Sequence, residues 1–193
     1  MKVILYIGDF DFRNENVQAH LVKNMGLLFG ILGYKVIYIG VNRKCSSFKE
    51  IGALPIVTIE NGRYYELPYT LSVKGIFLYR KIEERIIKII EQSCRIHDVK
   101  YLITYQSPTF SAVLSKVSSI CGKKKIPYIV NSADITKFDS QPFFRRMIME
   151  LNWKYLHYIN YEKSTGIIAV SQYISSFYKK KSRPSTIIPP LFD

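Results

Sequence analysis

Cysteine is scarce in this chain, and the three present, Cys45, Cys94 and Cys121, lie far apart. They form neither a disulfide framework nor a CxxC metal clip, and read as free, mostly buried thiols in a reducing compartment. Long hydrophobic runs are missing too. The longest clean apolar stretch, Gly26–Tyr34, is about half of the roughly 20 residues that span a bilayer. No secretory signal is visible, because the apolar start Val3–Gly8 runs straight into Asp9 and Asp11. Neither GxGxxG nor GxxxxGKS/T occurs, which argues against an independent dinucleotide or ATP site. His20, His97 and His157 are dispersed, so no two share metal-ligand spacing and no metal is expected. Ser171 lacks the GxSxG context of a hydrolase nucleophile. The chain reads as a soluble, cytoplasmic protein.

Acidic residues are few. With 28 Lys+Arg against 15 Asp+Glu the formal net charge is +13, which makes an anionic partner plausible: nucleic acid, a phosphorylated small molecule or an acidic membrane surface. Charge alone does not choose among them. The rest of the composition is ordinary, with 48% apolar and 22% charged residues over 193 positions. That length suits one domain, residues 1–193, with a sizeable core. Global disorder, a collagen-like fibre and a disulfide mini-protein are excluded.

Along the chain, strand and helix signals alternate. Lys2–Gly8 is a buried-strand run. Asn14 and Asn16 can cap a following helix with apolar positions Val17, Leu21, Met25, Leu28 and Leu32, and Gly33 sits where a helix C′ residue belongs. Lys35–Ile39 follows as a strand, closing a βαβ unit. Pro55–Glu60 and Arg63–Leu67 flank an Asn61-Gly62 turn. A long helix over Val73–Arg95 turns Ile82, Ile86, Ile89 and Ile90 inward and leaves Arg80, Glu84 and Lys88 to pair outside. Strands over Val99–Tyr105, Ile126–Asn131, Gly166–Val170 and Thr186–Ile188 alternate with helices over Ser111–Cys121, Pro142–Glu162 and Ser171–Lys181, and Gly122–Lys125 reads as a basic turn. Apolar strands in βα alternation predict an α/β fold: a Rossmann-like, doubly wound, mostly parallel sheet with helices on both faces.

Two weaker signals resolve toward structure. Gly26, Gly30 and Gly33 lie within and just after a helix, where close packing is the simpler use. Asp9 and Asp11 resemble the acidic pair of a receiver domain, but the third strand, Ile56-Val-Thr-Ile, offers no acceptor Asp. The cations gather in particular places: Lys123, Lys124 and Lys125 in one turn, Arg145 and Arg146 after Phe143-Phe144, and Lys179, Lys180 and Lys181 near a helix end. Trp153, Tyr155, Tyr158 and Tyr161 continue the Arg145 helix. Basic residues beside aromatics can stack on bases, suit a membrane interface, or form a solvated face.

The sharpest signal is Gly166-Ile-Ile-Ala-Val-Ser171, then a helix, then Ile187-Ile-Pro-Pro-Leu-Phe-Asp193. This resembles the end of the N-terminal domain of retaining GT-B glycosyltransferases of family 4, where "ADxIIAVS" precedes a helix and "VIPNGVD". Ser164-Thr165 stands where Ala-Asp is usual, and Pro190-Leu191-Phe192 replaces Asn-Gly-Val. Upstream, Lys125-Ile-Pro-Tyr-Ile-Val-Asn-Ser-Ala-Asp134 is similar to a strand end that closes on His-Asp or Arg-Asp, with Ala133 at the basic position. Glu150 matches a glutamate common in the helix before "ADxIIAVS". Gly33-Tyr-Lys-Val stands in place of "GHEV", and Asn16-Val17 approximate the family's Gly-Gly before the first helix.

The resemblance implies an acceptor-side domain facing a second, donor-binding domain with an E-x7-E motif, and a chain that stops at the hinge between them. It therefore implies an excised domain, a fragment or a split gene product. The donor would be a nucleotide sugar, with no cofactor. Ligands of doubly wound sheets bind beyond the strand carboxyl ends, which lead here into Gly8–Asn16, Val41–Cys45, Tyr105–Thr109, Ser132–Phe138 and Ser171–Tyr173. Asp9, Asn14, Asn16, His20, Asn131 and Ser171 are the acceptor or donor-phosphate candidates, with the first helix N-terminus suited to phosphate. Asp9 and Asp11 would oppose an anion and suit sugar hydroxyls, solvent or a cation. Asp134 is the catalytic candidate, orienting the attacking hydroxyl, with a loop or helix cap as its alternative role.

The expected function is sugar transfer to a lipid-linked or polysaccharide acceptor at the cytoplasmic membrane face, the protein being peripheral on the inner leaflet. The alternative is a non-catalytic acceptor-binding or regulatory subunit of a split enzyme. A basic nucleic-acid-binding domain has only the charge in its favour, without an RNP, helix-turn-helix or zinc-finger signature, so no nucleic-acid partner is expected.

Overall fold

The structure, a computed structural model, describes residues 1–14, 17–45, 56–59, 62–68, 74–105, 111–132, 141–178 and 183–189. The elements are β1 (Lys2–Ile7), α1 (Val17–Ile31), β2 (Lys35–Asn42), β3 (Ile56–Ile59), β4 (Gly62–Pro68), α2 (Lys74–Ile96), β5 (Asp98–Tyr105), α3 (Ser111–Lys124), β6 (Tyr128–Ser132), α4 (Phe143–Lys163), β7 (Gly166–Ala169), α5 (Gln172–Phe177) and β8 (Ser185–Ile187). They form two compact units, Met1–Leu102 with Leu191–Asp193, and Ile103–Pro190.

In the first unit the strand order is β3-β4-β2-β1-β5. β1 and β2 run parallel, Val3 opposite Lys35 to Ile7 opposite Ile39. β4 lies parallel on the other side of β2. β3 departs from the parallel pattern and runs antiparallel to β4, Ile56 opposite Tyr65 and Ile59 opposite Gly62. The short link between them permits only a hairpin return, since a parallel return needs a dozen residues or more. In the second unit β6, β7 and β8 lie side by side in that order and run parallel. The fold is α/β, Rossmann-like and doubly wound with a mostly parallel sheet.

Burial follows the strands. Val3–Ile7, Val36–Ile39, Leu102, Ile103, Val130 and Ile167–Ala169 are buried, as fits strands covered on both sides. On α2, Ile82, Ile86, Ile89 and Ile90 point inward, while Arg80 meets Glu84 outside at 3.3 Å. On α1 the buried face is Ala19, Leu21, Val22, Met25 and Gly26, and the ends Val17 and Leu32 stand exposed instead. Gly26 explains the shift: a Cβ there would come 1.6 Å from the Tyr38 hydroxyl, so the smallest residue lets helix and strand close.

Two helices end in the same hydrogen-bond motif. After α1, Gly33 adopts φ 81, its N–H donates to Gly30 O, and the Tyr34 N–H donates to Phe29 O. After α3, Lys125 adopts φ 55, its N–H donates to Gly122 O and the Ile126 N–H to Cys121 O. Both are Schellman caps. The second corrects the expected four-residue basic turn: Lys123 and Lys124 belong to the last helical turn, where cations meet the negative end of the helix dipole.

Candidate functional site

In the first unit, polar side chains that leave the carboxyl ends of β1, β2 and β4 converge. The β1 loop carries Asp9, Asp11, Arg13 and Asn14; β2 ends in Asn42, followed by Arg43; β4 contributes Glu66. Asp11 is fully buried. Its Oδ1 accepts the Arg13 N–H at 2.9 Å, and its Oδ2 accepts the Arg43 N–H at 2.9 Å and the Asn14 amide at 2.8 Å. Glu66, also buried, accepts Arg13 Nε at 2.6 Å and Asn42 Nδ2 at 3.0 Å. Arg43 reaches back to Asp9 at 3.0 Å.

Local sequence explains the arrangement. Asp11 sits two residues before Arg13, the spacing at which an Asx turn closes on its own backbone. Asn42 does the same after β2, its Oδ1 accepting the Lys44 N–H at 3.1 Å. Tyr64 on β4 donates its hydroxyl to Val41 O at 2.8 Å, tying β4 to the end of β2. Below them Phe10, Phe12, Tyr38 and Tyr64 form an aromatic floor, with Phe12 and Tyr64 centroids 4.8 Å apart. Burial, then the nearby Asp11 and Glu66 charges, push the Tyr64 phenol well above its ordinary range. The hydrogen bond to Glu66 and its charge raise the Arg13 guanidinium further, so it stays cationic.

Of the roles open to the acidic pair, sugar hydroxyls, solvent or a cation, Asp9 engages a cation of the chain itself, Arg43. Asp11 is spent on two loop backbones, and Asp9 is paired with Arg43. Asn14 donates its side-chain amide to Asp11, and Asn16 lies outside the described residues. His20 is exposed on α1. Arg13, Asn42, Arg43, Tyr64 and Glu66 escaped sequence reasoning. Their one signal was polarity at the ends of otherwise apolar strands, Asn42 on β2 and Glu66 on β4.

In the second unit, Asn131 is buried in β6, opposite Ile168 of β7. Ser171 caps α5, its Oγ accepting the Ile174 N–H at 3.3 Å. Asp134 and Lys179–Lys181 lie outside the described residues. Lys123, Lys124, Lys125, Arg145 and Arg146 are exposed, and Arg146 pairs with Glu150 at 2.7 Å. Among the described residues, no three His, Cys, Asp or Glu side chains form a metal-holding group, and no helix is long and apolar enough to cross a membrane.

No family model matches the chain, and no curated protein is similar to it in sequence. Solved structures are similar in fold. A UGT transferase from Siraitia grosvenorii, in complex with UDP, matches with a TM-score of 0.54 and 10% identity over 99% of this chain and 52% of its own. An E. coli trehalose-6-phosphate protein bound with UDP-2-fluoro glucose gives a TM-score of 0.47 at 7% identity, over 91% of this chain and 41% of its own. The fold is therefore that of a Rossmann-like domain of the GT-B type. The chain spans about half the length of the transferase it matches.

Proposed function

We propose that this chain is the acceptor-side, N-terminal domain of a retaining, family-4-type GT-B glycosyltransferase, moving a sugar from a nucleotide sugar to a lipid-linked or polysaccharide acceptor at the cytoplasmic membrane face. The observation that carries the reading is the fold match over 99% of the chain against 52% of a transferase seen with UDP. The Gly166–Ser171 phrase supports it, since those residues form the strand β7 and the serine cap of α5.

The internally bonded polar edge of the first unit fits the acceptor side. Two guanidiniums there are paired with two carboxylates, Arg13 with Glu66 and Arg43 with Asp9, while Asp11 is satisfied by amides, and such a surface suits a hydroxyl-rich ligand better than a phosphate. The donor diphosphate falls to the partner domain. Asp134 orients the attacking hydroxyl, while Asn131 and Ser171 shape the neighbouring strand ends.

The test is nucleoside diphosphate release. The reading frame continued past Asp193, or this chain with a separately encoded donor-binding partner, is given UDP-, GDP-, ADP- and dTDP-sugars with a membrane extract as acceptor. Acceptor-dependent release with one donor is expected. No release above hydrolysis with every donor overturns the reading.

A further inference from the structure

A helix packed on a sheet normally turns its apolar stripe inward. α4 also carries one outward. Phe144, Ile148, Leu151, Tyr155 and Tyr158 recur at intervals of four and three, which places them on one line of the helix, and all five are exposed, Phe144 at 75% and Ile148 at 63%. Phe143 and Met147 lie beside them, also exposed. The stripe runs for about 21 Å along the axis. The far side of α4 packs in its second half: Trp153, roughly 200° around from Leu151, is half-buried and meets Phe177 of α5 with ring centroids 6.1 Å apart, whereas residues 143–148 are exposed all round.

Exposed cations flank the stripe, Arg145 near its start and Lys154 in its middle; at its end Lys163 stands beside the exposed Glu162, and Glu150 is held by Arg146. We propose that α4 is the membrane-docking element of this protein, lying in the bilayer plane with Phe144, Ile148 and Leu151 among the acyl chains and Arg145 and Lys154 among anionic headgroups. This rests on the membrane-face part of the function proposed above. Charge decides the occupant. A second copy seated on the stripe would bring Arg145 and Lys154 against their own kind in a chain of net charge +13, whereas anionic lipid supplies the opposite sign. Rings at headgroup level with apolar side chains below are the composition of an interfacial helix.

The test is co-sedimentation of the purified chain with vesicles of phosphatidylcholine alone and with a third phosphatidylglycerol, at low and high salt. The wild type is expected to bind the anionic vesicles more tightly, and less so as salt rises. The triple variant Phe144→Ser/Ile148→Ser/Leu151→Ser, altered only at exposed positions and checked for unchanged circular dichroism, is expected to lose about tenfold or more on both vesicles. Arg145→Gln/Lys154→Gln is expected to lose roughly tenfold on anionic vesicles alone. A wild type that binds anionic vesicles while the triple variant binds equally well overturns the role of α4 and leaves the membrane reading standing. A wild type that binds neither vesicle overturns both. Self-association that the triple variant abolishes, without vesicle binding, assigns the stripe to a second copy and also overturns the proposal.

Discussion

Three buried tyrosines tie stability to pH at the alkaline end. Burial lifts Tyr38, Tyr64 and Tyr128 above the ordinary phenol range, and the Thr104 hydroxyl, which donates to Tyr128 at 3.2 Å, offsets only part of that rise. In the unfolded chain each ionises near pH 10 (about 10 for a free tyrosine). Their stabilisation is thus complete below about pH 10 and lost as pH climbs above it, because the unfolded form sheds protons that the folded form keeps. The urea midpoint should fall steeply above that pH, and the last phenolate absorbance should appear only as near-ultraviolet dichroism disappears. Tyr38→Phe/Tyr128→Phe should flatten the fall; an unchanged slope sinks the assignment.

The Arg13–Glu66 pair gives a second residue-scale result. Arg13 is half exposed, yet its side chain compensates a carboxylate that is 1% exposed. Arg13→Ala should cost about 2–3 kcal/mol, because it strands the buried charge, and Glu66→Gln only about 1 kcal/mol. The double variant should recover part of the Arg13→Ala loss in urea melts. None of this was legible beforehand. The sequence marks Asp9 and Asp11 as an acidic pair, but that Asp9 meets the Arg43 guanidinium and Asp11 the backbone amide of the same residue depends on the β1–β2 pairing, which joins residues more than twenty positions apart.

At the scale of elements, most of the fold could be read. Strands announced themselves by unbroken β-branched runs, and α2 by four isoleucines at helical spacing. The failures lie at ends and edges. α3 outruns its expected stop because Lys125 takes the left-handed position that glycine usually fills. The caps carry a paired prediction. Gly33→Ala forces a Cβ into a positive φ and should destabilise by about 1 kcal/mol, whereas Lys125→Gly relieves the same strain and should stabilise by about 0.5–1 kcal/mol. Thermal melts of the two single variants test this, and shifts of the same sign refute it.

For the whole molecule, the net charge was the clearest number in the sequence and the least informative about a partner. The structure sorts it: part lies in internal pairs such as Arg13–Glu66 and Arg43–Asp9, part in helix ends, and part beside the apolar stripe of α4. The domain class was legible from βα alternation and the Gly166–Ser171 phrase. The acceptor-side reading predicts that the 193-residue chain alone transfers no sugar and binds nucleotide sugar weakly. Calorimetry with UDP-glucose and a nucleoside diphosphate release assay check this; robust turnover by the isolated chain would overturn it.

One carboxylate, Asp11, holds the amides of Arg13 and Arg43, which are 30 residues apart in sequence. Neither loop can open while Asp11 keeps both bonds, so the two should exchange amide hydrogen for deuterium as one cooperative unit rather than as two frayed tips. Asp11→Ala should bring both amides to fast exchange together, and protection lost at Arg13 but kept at Arg43 would contradict it. The ends of β1 and β2 are then expected to open together, pinned by a single buried carboxylate.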